Sequence, residues 1–388
     1  MTVFSAKRSA LSPNRAPALP YVDDLVASFR PTEPLICVRP ATLAATAGEF
    51  VAAFPGQTMY AVKCNPDPAV LRALWDGGVR HFDCASIAEV ELIRGMFPAA
   101  GIYFMHPVKS RPAIAEAYRL HDVRCFVLDS AVELEKILAE TSHADDLDLV
   151  VRLALPPLGA VSDLSAKFGA PHDEAVALLR AARPRALRLG VSFHVGSQCL
   201  DPHAWRHAIA LAGAVIAEAG VAVDVLDIGG GFPAPYPGMV PPPLGAFMAE
   251  IEASVDVLNL PMRPHLWAEP GRALVAAGAS VVVQVQGRRG DALYINDGVF
   301  GSLSDAGAPG FRYPVRLLRP TEVPERGFAF WGPTCDSNDY MRGPFMLPAN
   351  TREGDWIEIG QLGAYSTALR TAFNGFDRAK VVEVREAR

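Results

Sequence analysis

The sequence predicts an α/β fold in which a (β/α)8 barrel is joined to a C-terminal β-domain. From residue 41 onwards, short runs rich in β-branched and aromatic residues alternate with amphipathic segments, as parallel strands joined by helices do. Eight such units span about 230 residues, the usual size of a closed barrel, whereas a doubly wound open sheet more often has about five to seven strands. After Arg272 the long helical segments stop, and alternating runs with Gly and Pro turns predict a sandwich or barrel of β-strands.

The eight barrel strands are predicted where short apolar runs are bounded by turn residues. These runs are residues 58–63, 79–84, 101–105, 123–128, 148–154, 189–195, 223–228 and 265–269. Between them, segments such as 68–74 and 88–93 repeat apolar residues at intervals of three and four, which indicates amphipathic helices. Ser86 and Glu89 form a capping box, so a helix is expected to begin there.

The β-domain is predicted from alternating runs in the last part of the chain. These runs are residues 279–285, 292–295, 327–330 and 355–359. A lone strand near the start of the chain, at residues 34–38, precedes the first barrel helix and is expected to complete the β-domain. The predicted organisation is therefore a mobile N-terminal lead over 1–30, a joining strand over 31–40, the barrel over 41–272 and the β-domain over 273–388.

Charge, hydropathy and cysteine content narrow the class of protein. The chain has 36 Lys and Arg against 42 Asp and Glu, and this net charge of −6 argues against binding to nucleic acid. Apolar runs break well short of the ~20 residues that cross a bilayer, so no membrane span is expected. The cysteines lie at positions 37, 64, 84, 125, 199 and 335, without metal-ligand spacing. We therefore expect reduced thiols, no metal site and a cytoplasmic protein.

Polar residues or glycines mark the ends of six of the eight predicted barrel strands, where the loops of a barrel build its active face. These residues are Lys63, Asp83, Arg152, His194, the run Gly229-Gly230-Gly231 and Glu269. Each has a plainer explanation, because lysines often end strands in solvent, histidines are often hydrogen-bonded in cores, and glycines often form tight turns. Their coincidence on one face is more specific than any one of them.

This set of residue types suits the cofactor pyridoxal 5'-phosphate. The amine of Lys63 is suited to bind the cofactor covalently, and the carboxylate of Glu269 to keep its pyridine nitrogen protonated. The imidazole of His194 is a flat group that stacks well on an aromatic ring. Backbone N–H groups, a hydroxyl and a guanidinium bind phosphate well. The candidates for that task are Ser197, Gly230, Gly231 and Arg272.

Seven short motifs follow one another between about residues 35 and 380. They are YAVKCN at 60–65, FDCAS at 82–86, SFHVGSQ at 192–198, DIGGGFP at 227–233, EPGR at 269–272, WGPTCD at 331–336 and GAY at 363–365. With these motifs the sequence resembles the ornithine decarboxylase family, the alanine-racemase-like class of pyridoxal phosphate decarboxylases. The resemblance implies that Lys63 holds the cofactor and that Asp83 and Arg152 shape its surroundings. It further implies that Gly271 and Tyr365 belong to the phosphate site.

The pair Cys335-Asp336 has roles that follow from the resemblance. In the family this pair comes from a second subunit, so a homodimer with shared active sites is implied. Cys335 is tied to protonation of the α-carbon after CO2 leaves, and Asp336 to the distal amine of the substrate. The chemistry agrees, because a carbanion needs a positioned acid and a buried ammonium needs a carboxylate. Diaminopimelate decarboxylases resemble this family but have Cys-Glu in this segment.

One departure from the family pattern leaves the substrate open. Many ornithine decarboxylases have a second acid about eight or nine residues after the aromatic residue that matches Phe300, where this chain has Ala308. Asp305 is the nearest acid and is the candidate replacement for binding the substrate amine. The predicted reaction is the decarboxylation of L-ornithine to putrescine in polyamine biosynthesis. Lysine, arginine or a modified diamino acid are the alternative substrates.

Two further functions are considered on the same scaffold. An amino-acid racemase needs bases on both faces of the α-carbon, and the WGPTCD segment argues against it. A non-catalytic regulatory homologue usually loses the lysine or the cysteine, and both Lys63 and Cys335 are present. The decarboxylase is therefore the preferred hypothesis.

Overall fold

The first helix and the first strand of the chain pack on the β-domain. The computed structural model describes residues 19–162 and 166–386, beginning with α1 (Val22–Phe29) and β1 (Leu35–Val38). β1 pairs antiparallel with the first strand after the barrel and parallel with the last strand of the chain. This pairing confirms the prediction that an N-terminal strand completes the β-domain.

Helix α1 corrects the expectation of a mobile lead over residues 1–30. Its apolar residues Val22, Leu25 and Val26 recur at intervals of three and one, which places them on one helical face. They are buried in a cluster with Leu35 and Val282, so this part of the lead is packed. Residues 1–18 lie outside the described residues.

Eight parallel strands close into the predicted barrel, in which each strand pairs with the next and the last pairs with the first. The strands are β2 (Gln57–Ala61), β3 (His81–Cys84), β4 (Gly101–Phe104), β5 (Cys125–Leu128), β6 (Asp148–Arg152), β7 (Arg188–Ser192), β8 (Val225–Asp227) and β9 (His265–Ala268). All eight predicted strands are confirmed, and each is shorter than the apolar run that predicted it. The extra residues of each run lie beside the strand, in loops or, after β2, in a short 3-10 helix.

Helices cover the outside of the barrel, and four of them begin at a side chain that caps the helix. They are α2 (Pro40–Ala53), α3 (Pro68–Asp76), α4 (Ile87–Met96), α5 (Arg111–Leu120), α6 (Ala131–Glu140), α7 (His172–Ala182), α8 (His203–Ala219), α9 (Leu244–Asp256) and the short α10 (Arg272–Val275). At the predicted start of α4, Ser86 Oγ accepts a hydrogen bond from the Glu89 N–H, whereas the Glu89 carboxylate accepts from the Ala85 N–H. No described helix combines the length and the apolar character needed to cross a bilayer.

The barrel interior is filled by side chains rather than being open. Met59, Tyr103, Val150 and Trp267 belong to an apolar cluster on inward-facing strand positions, while alternate residues such as Tyr60 pack against the helices. This packing closes the centre of the barrel. In barrels of this kind the catalytic residues lie in the loops at the carboxyl ends of the strands.

The β-domain is a mixed sheet with the strand order β12-β15-β10-β11-β13-β14, to which β1 and β16 are joined through β10. Its strands are β10 (Ala279–Arg289), β11 (Ala292–Ile295), β12 (Val315–Leu317), β13 (Glu325–Trp331), β14 (Tyr340–Pro348), β15 (Trp356–Ile359) and β16 (Lys380–Glu383). The four predicted runs are present as β10, β11, β13 and β15. The alternation did not predict β12, which has three residues, or β14, whose Gly343-Pro344 pair interrupts the pattern. It also did not predict β16.

Candidate active site

The carboxyl ends of the barrel strands bring the predicted polar residues to one face. Asp83 lies in β3, Arg152 ends β6 and Glu269 directly follows β9. Lys63 and His194 were predicted to end their strands, but each lies two residues beyond the last strand residue. The ladder of β2 ends because the Ala61 N–H bonds to the carbonyl of Pro270 and the chain then turns through a 3-10 helix, Val62–Cys64.

Lys63 faces a buried carboxylate. Its ammonium forms an ion pair with Oδ2 of Asp83, which is fully buried, while the lysine side chain keeps 40% of its surface exposed. Partial burial lowers the pKa of Lys63, but the carboxylates of Asp83 and Glu269 outweigh it and raise the pKa above its ordinary value. The free amine is thus held protonated, and it has to transfer a proton before it acts as a nucleophile.

Asp227 and Glu269 are neighbouring buried acids on the same face. Asp227 lies at the end of β8, where its Oδ1 accepts a hydrogen bond from the Gly229 N–H at 2.9 Å. Burial raises the pKa of Asp227 to about 6, and burial together with the carboxylates of Asp227 and Asp83 raises the pKa of Glu269 well above its ordinary value. The pair therefore retains a proton near neutral pH, so Glu269 is a suitable hydrogen-bond donor or acceptor for a ring nitrogen.

Replacement of Asp227 by Asn is expected to change the pH dependence of stability. The folded pKa of Asp227, about 6, is above its unfolded value of 3.8, so the ionised group costs the folded state stability as the pH rises through this window. Asn keeps the bond from Gly229 but has no charge. Urea unfolding of cofactor-free protein should show that the substitution raises the free energy of unfolding by about 1 kcal/mol more at about pH 8 than at about pH 5. An equal gain at both pH values would contradict the shared-proton assignment.

His194 presents a neutral imidazole to the same face. Its Nδ1 accepts a hydrogen bond from the Gly196 N–H at 3.0 Å, which assigns the ring proton to Nε2. Burial lowers the pKa of His194 to about 3, and the positive charges of Arg152 and Lys63 contribute in the same direction. A neutral flat ring is suited to stacking on a cofactor.

The glycine run after β8 is required by close backbone packing. Gly229 and Gly231 have φ values of +67° and +100°, and an added Cβ would lie 2.1 Å from Phe193 O and 2.5 Å from Gly196 O, respectively. An added Cβ on Gly230 would lie 3.0 Å from Nε2 of His194. The run therefore serves the contact between two loops, and the binding of phosphate by Gly230 and Gly231 stays a prediction.

Two other predicted residues lie beside these loops. The Ser197 N–H donates to the carbonyl of Ser162 at 2.9 Å, and the following Cys199 N–H donates to the carbonyl of Gly231 at 3.0 Å, so Ser197 belongs to the loop that contacts the glycine run. Gly271 allows the EPGR segment to pack closely against the turn Val62–Cys64, which contains Lys63 and is called the lysine loop below. An added Cβ on Gly271 would lie 2.9 Å from Cβ of Cys64.

Arg272 is the centre of a buried cluster formed by both domains. Its guanidinium carbon lies 5.1 Å from the ring centre of Tyr365 and 4.8 Å from that of Phe311, and Nη1 donates to the Tyr236 hydroxyl at 3.1 Å. The Tyr365 N–H donates to the carbonyl of Cys64 at 2.9 Å, which holds the β-domain beside the lysine loop. Sequence reasoning did not identify Tyr236, although it follows the glycine run by only five residues.

Asp305 forms an ion pair with Arg272 in this structure. Its Oδ2 lies 2.8 Å from Nη2 of Arg272, and the two side chains are 14% and 5% exposed. Its carboxylate thus faces a guanidinium in the cluster that the sequence assigned to phosphate, and the binding of a substrate amine by Asp305 stays a prediction.

Unpartnered polar atoms show that these residues fit pyridoxal phosphate. Among the described residues, Oδ1 of Asp83 and Nε of Arg272 are buried and have no hydrogen-bond partner. Buried polar atoms of this kind call for a ligand or water. The acceptor Oδ1 of Asp83 lies beside the lysine amine, where the aldehyde end of the cofactor would bind. The donor Nε belongs to the guanidinium of Arg272, where the phosphate end would bind.

Cys335 and Asp336 lie apart from Lys63 within one chain. They occupy the loop between β13 and β14, in a groove of about 690 Å³ lined by residues of the β-domain together with Thr32 and Glu33. Cys335 is exposed, and its N–H donates to Oδ1 of Asn374. Among the described residues that line this groove, none belongs to the barrel. The structure therefore does not bring this pair to the lysine of its own chain.

Comparison with known proteins places the chain among decarboxylases. Residues 41–276 match the family model described as pyridoxal-dependent decarboxylase, pyridoxal binding domain. The chain is 35% identical over 348 residues to an ornithine decarboxylase of Panagrellus redivivus. This alignment covers 83% of this chain and 78% of the relative. It is 33% identical over 332 residues to a lysine/ornithine decarboxylase of Selenomonas ruminantium, with coverage of 83% and 82%.

A solved structure has the same overall arrangement. The arginine decarboxylase of Paramecium bursaria Chlorella virus superimposes with a TM-score of 0.82 at 27% sequence identity. The superposition covers 94% of this chain and 99% of that chain, so both the barrel and the β-domain are included.

Proposed function

Because this chain belongs to the ornithine decarboxylase-like family of pyridoxal-dependent decarboxylases, we propose that it converts L-ornithine to putrescine for polyamine biosynthesis. It is a pyridoxal phosphate-dependent decarboxylase of a basic amino acid. The observation that supports a cationic substrate is the half-buried carboxylate of Asp336, next to an exposed thiol at the edge of a groove. A carboxylate in that position offsets the cost of removing a distal ammonium from water.

The proposed cofactor site has a covalent end, a ring and a phosphate end. Lys63 holds the cofactor, and Asp83 lies beside the amine of Lys63. Glu269 faces the ring nitrogen and His194 stacks on the ring. The surrounding residues are Arg152 near the imidazole and, at the phosphate end, Ser197, Gly230, Gly231, Gly271, Arg272 and Tyr365. When bound, pyridoxal phosphate supplies the electron sink that accepts the electrons of the bond to the carboxylate.

The residues of the chain control the remaining steps. With the cofactor bound, the carboxylate of Glu269 would pair with the protonated ring nitrogen, which keeps the ring able to accept electrons. We propose that Cys335 delivers a proton to the α-carbon after CO2 departs and that Asp336 accepts hydrogen bonds from the distal ammonium.

The proposed assembly is a homodimer in the cytoplasm. The groove with Cys335 is lined by no barrel residue among those described, and Phe373 and Phe376 are 41% and 43% exposed in the adjoining segment. Exposed aromatic side chains of this kind are favoured at protein interfaces. A second copy that presents its barrel face to this groove would complete both active sites.

Replacement of Asp336 by Asn tests the substrate assignment. Asn keeps the acceptor for the Asn338 N–H, at 2.8 Å from Oδ1 in the native protein, but cannot pair with an ammonium. We expect KM for ornithine to rise about 100-fold, because a charge-assisted contact is lost and each factor of ten corresponds to about 1.4 kcal/mol. The absorbance of the cofactor should not change. The measurement is CO2 release from ornithine, lysine, arginine and 2,4-diaminobutyrate.

The matched control is Asp291→Asn, an acid of the same domain that pairs with Arg326 at the surface. It should leave KM for every substrate unchanged. Release of CO2 from lysine or arginine in preference to ornithine would replace ornithine as the substrate. No release from any basic amino acid would overturn the proposal, and chiral analysis of the recovered amino acid distinguishes a racemase.

A further inference from the structure

Arg272 and Asp305 form an ion pair that joins the two domains. Arg272 begins α10 at the end of the barrel, and Asp305 lies in a 3-10 turn of the β-domain, Ser304–Ala306. Nη2 and Oδ2 are 2.8 Å apart, and the two side chains are 5% and 14% exposed. The pair is therefore almost entirely shielded from water, where opposite charges attract more strongly than at the surface.

The loop around Asp305 holds its carboxylate towards the guanidinium. Ser304 Oγ donates to the carbonyl of Tyr365 at 2.9 Å, and the Phe311 N–H donates to the carbonyl of Asp305 at 2.9 Å. Phe311 and Tyr365 both pack on the guanidinium of Arg272. The acid is thus positioned by the same residues that surround the cation.

Asp305 and the cofactor phosphate require the same cation. In the proposed function Arg272 binds the phosphate, and the inference rests on that assignment. A phosphate dianion next to an ionised carboxylate is repelled strongly in a shielded site. The unpartnered Nε of Arg272 offers the phosphate a donor while Nη2 faces Asp305. The two anions then share one guanidinium, and the charge of the carboxylate reduces the attraction of this guanidinium for the phosphate.

We propose that Asp305 competes with the phosphate of pyridoxal phosphate for Arg272 and thereby sets how tightly the enzyme retains its cofactor. The carboxylate stabilises the buried guanidinium of the cofactor-free protein, and it lowers the affinity for the phosphate. The acid acts on cofactor retention, a role different from amine recognition. Its removal should change cofactor affinity and cofactor-free stability in opposite directions.

Asp305→Asn separates these two effects. The variant is expected to bind pyridoxal phosphate about tenfold more tightly, because one competing charge is removed. Without cofactor its melting temperature should fall, because Arg272 loses its buried partner. The first quantity is measured by absorbance titration of cofactor-free protein and the second by calorimetry. Asp305→Glu, which keeps the charge, should stay closer to the native affinity, and Asp291→Asn should change neither quantity.

A second neutral variant and a second probe keep the test decisive. If Asp305→Asn does not fold, Asp305→Ser replaces it, and inorganic phosphate should raise the melting temperature of the neutral variant more than that of the native protein. Unchanged or weaker affinity for pyridoxal phosphate in a folded neutral variant overturns the competition. Failure of the native protein to bind the cofactor or release CO2 would instead overturn the proposed function.

Discussion

Replacement of Lys63 by Ala is expected to reduce decarboxylation at least about 1,000-fold, the scale seen when a covalent catalytic group is removed. Lys63 provides the amine nearest to the buried carboxylate of Asp83, and Ala has no group that could hold the cofactor. The visible absorbance of the protein should be lost on gel filtration, because the cofactor is then held only by its phosphate and ring contacts.

The control for this variant is Lys380→Ala, an exposed lysine of β16 in the β-domain. It should keep native turnover and absorbance. Because Asp83 loses its ion-pair partner in Lys63→Ala, calorimetry is used to check that this variant is folded. A folded Lys63→Ala protein with turnover within about tenfold of the native value would remove Lys63 from the catalytic assignment.

Mixing inactive Lys63→Ala and Cys335→Ala chains is expected to restore about one quarter of native turnover. Random exchange gives about half mixed dimers, each with one site that has both native residues. Turnover is expected to return because Lys63 and Cys335 lie apart within one chain. The groove of Cys335 is lined by no described barrel residue. Turnover is measured by CO2 release after the chains are exchanged and reassembled.

The double variant in one chain, Lys63→Ala with Cys335→Ala, is the control for this experiment. Mixed with native chains, it gives mixed dimers in which each site has one defective residue, so their turnover should stay near zero. If the two single variants do not complement each other although mass spectrometry shows mixed dimers, Cys335 serves its own chain. Sedimentation of a native monomer with full turnover would exclude shared sites altogether.

Local sequence pattern predicted the barrel strands because a buried parallel strand needs a short apolar run, and such runs occur between amphipathic helices. Lys63 and His194 were displaced from the predicted strand ends because runs continue into the loops, where the chain is still buried but its backbone bonds elsewhere. The strand β14 was missed because its Gly-Pro pair disrupts the period-two pattern, although tertiary pairing with β13 holds it in the sheet.

The candidate site was identified from residues that carry recognisable chemistry at the ends of strands. Lys63, Asp83 and Glu269 were found in this way, and the structure brings them to one face. Asp227 was not assigned a role, since an acid in a buried strand shows no unusual pattern until Glu269 lies beside it. Its shared proton depends on burial and on the neighbouring carboxylate, and neither is visible in a linear sequence.

By itself, the sequence determined the class of fold and a set of residues that suit pyridoxal phosphate, because strand and helix periodicity and side-chain chemistry are local properties. The reaction was predicted from the motifs that resemble the decarboxylase family. The tertiary structure alone decided which of these groups face one another. Asp305 is the clearest case, because its position in the chain suggested binding of an amine, whereas the fold pairs it with Arg272. The charge of a side chain is known from its identity, but its effect depends on distance and burial, which only the folded chain defines.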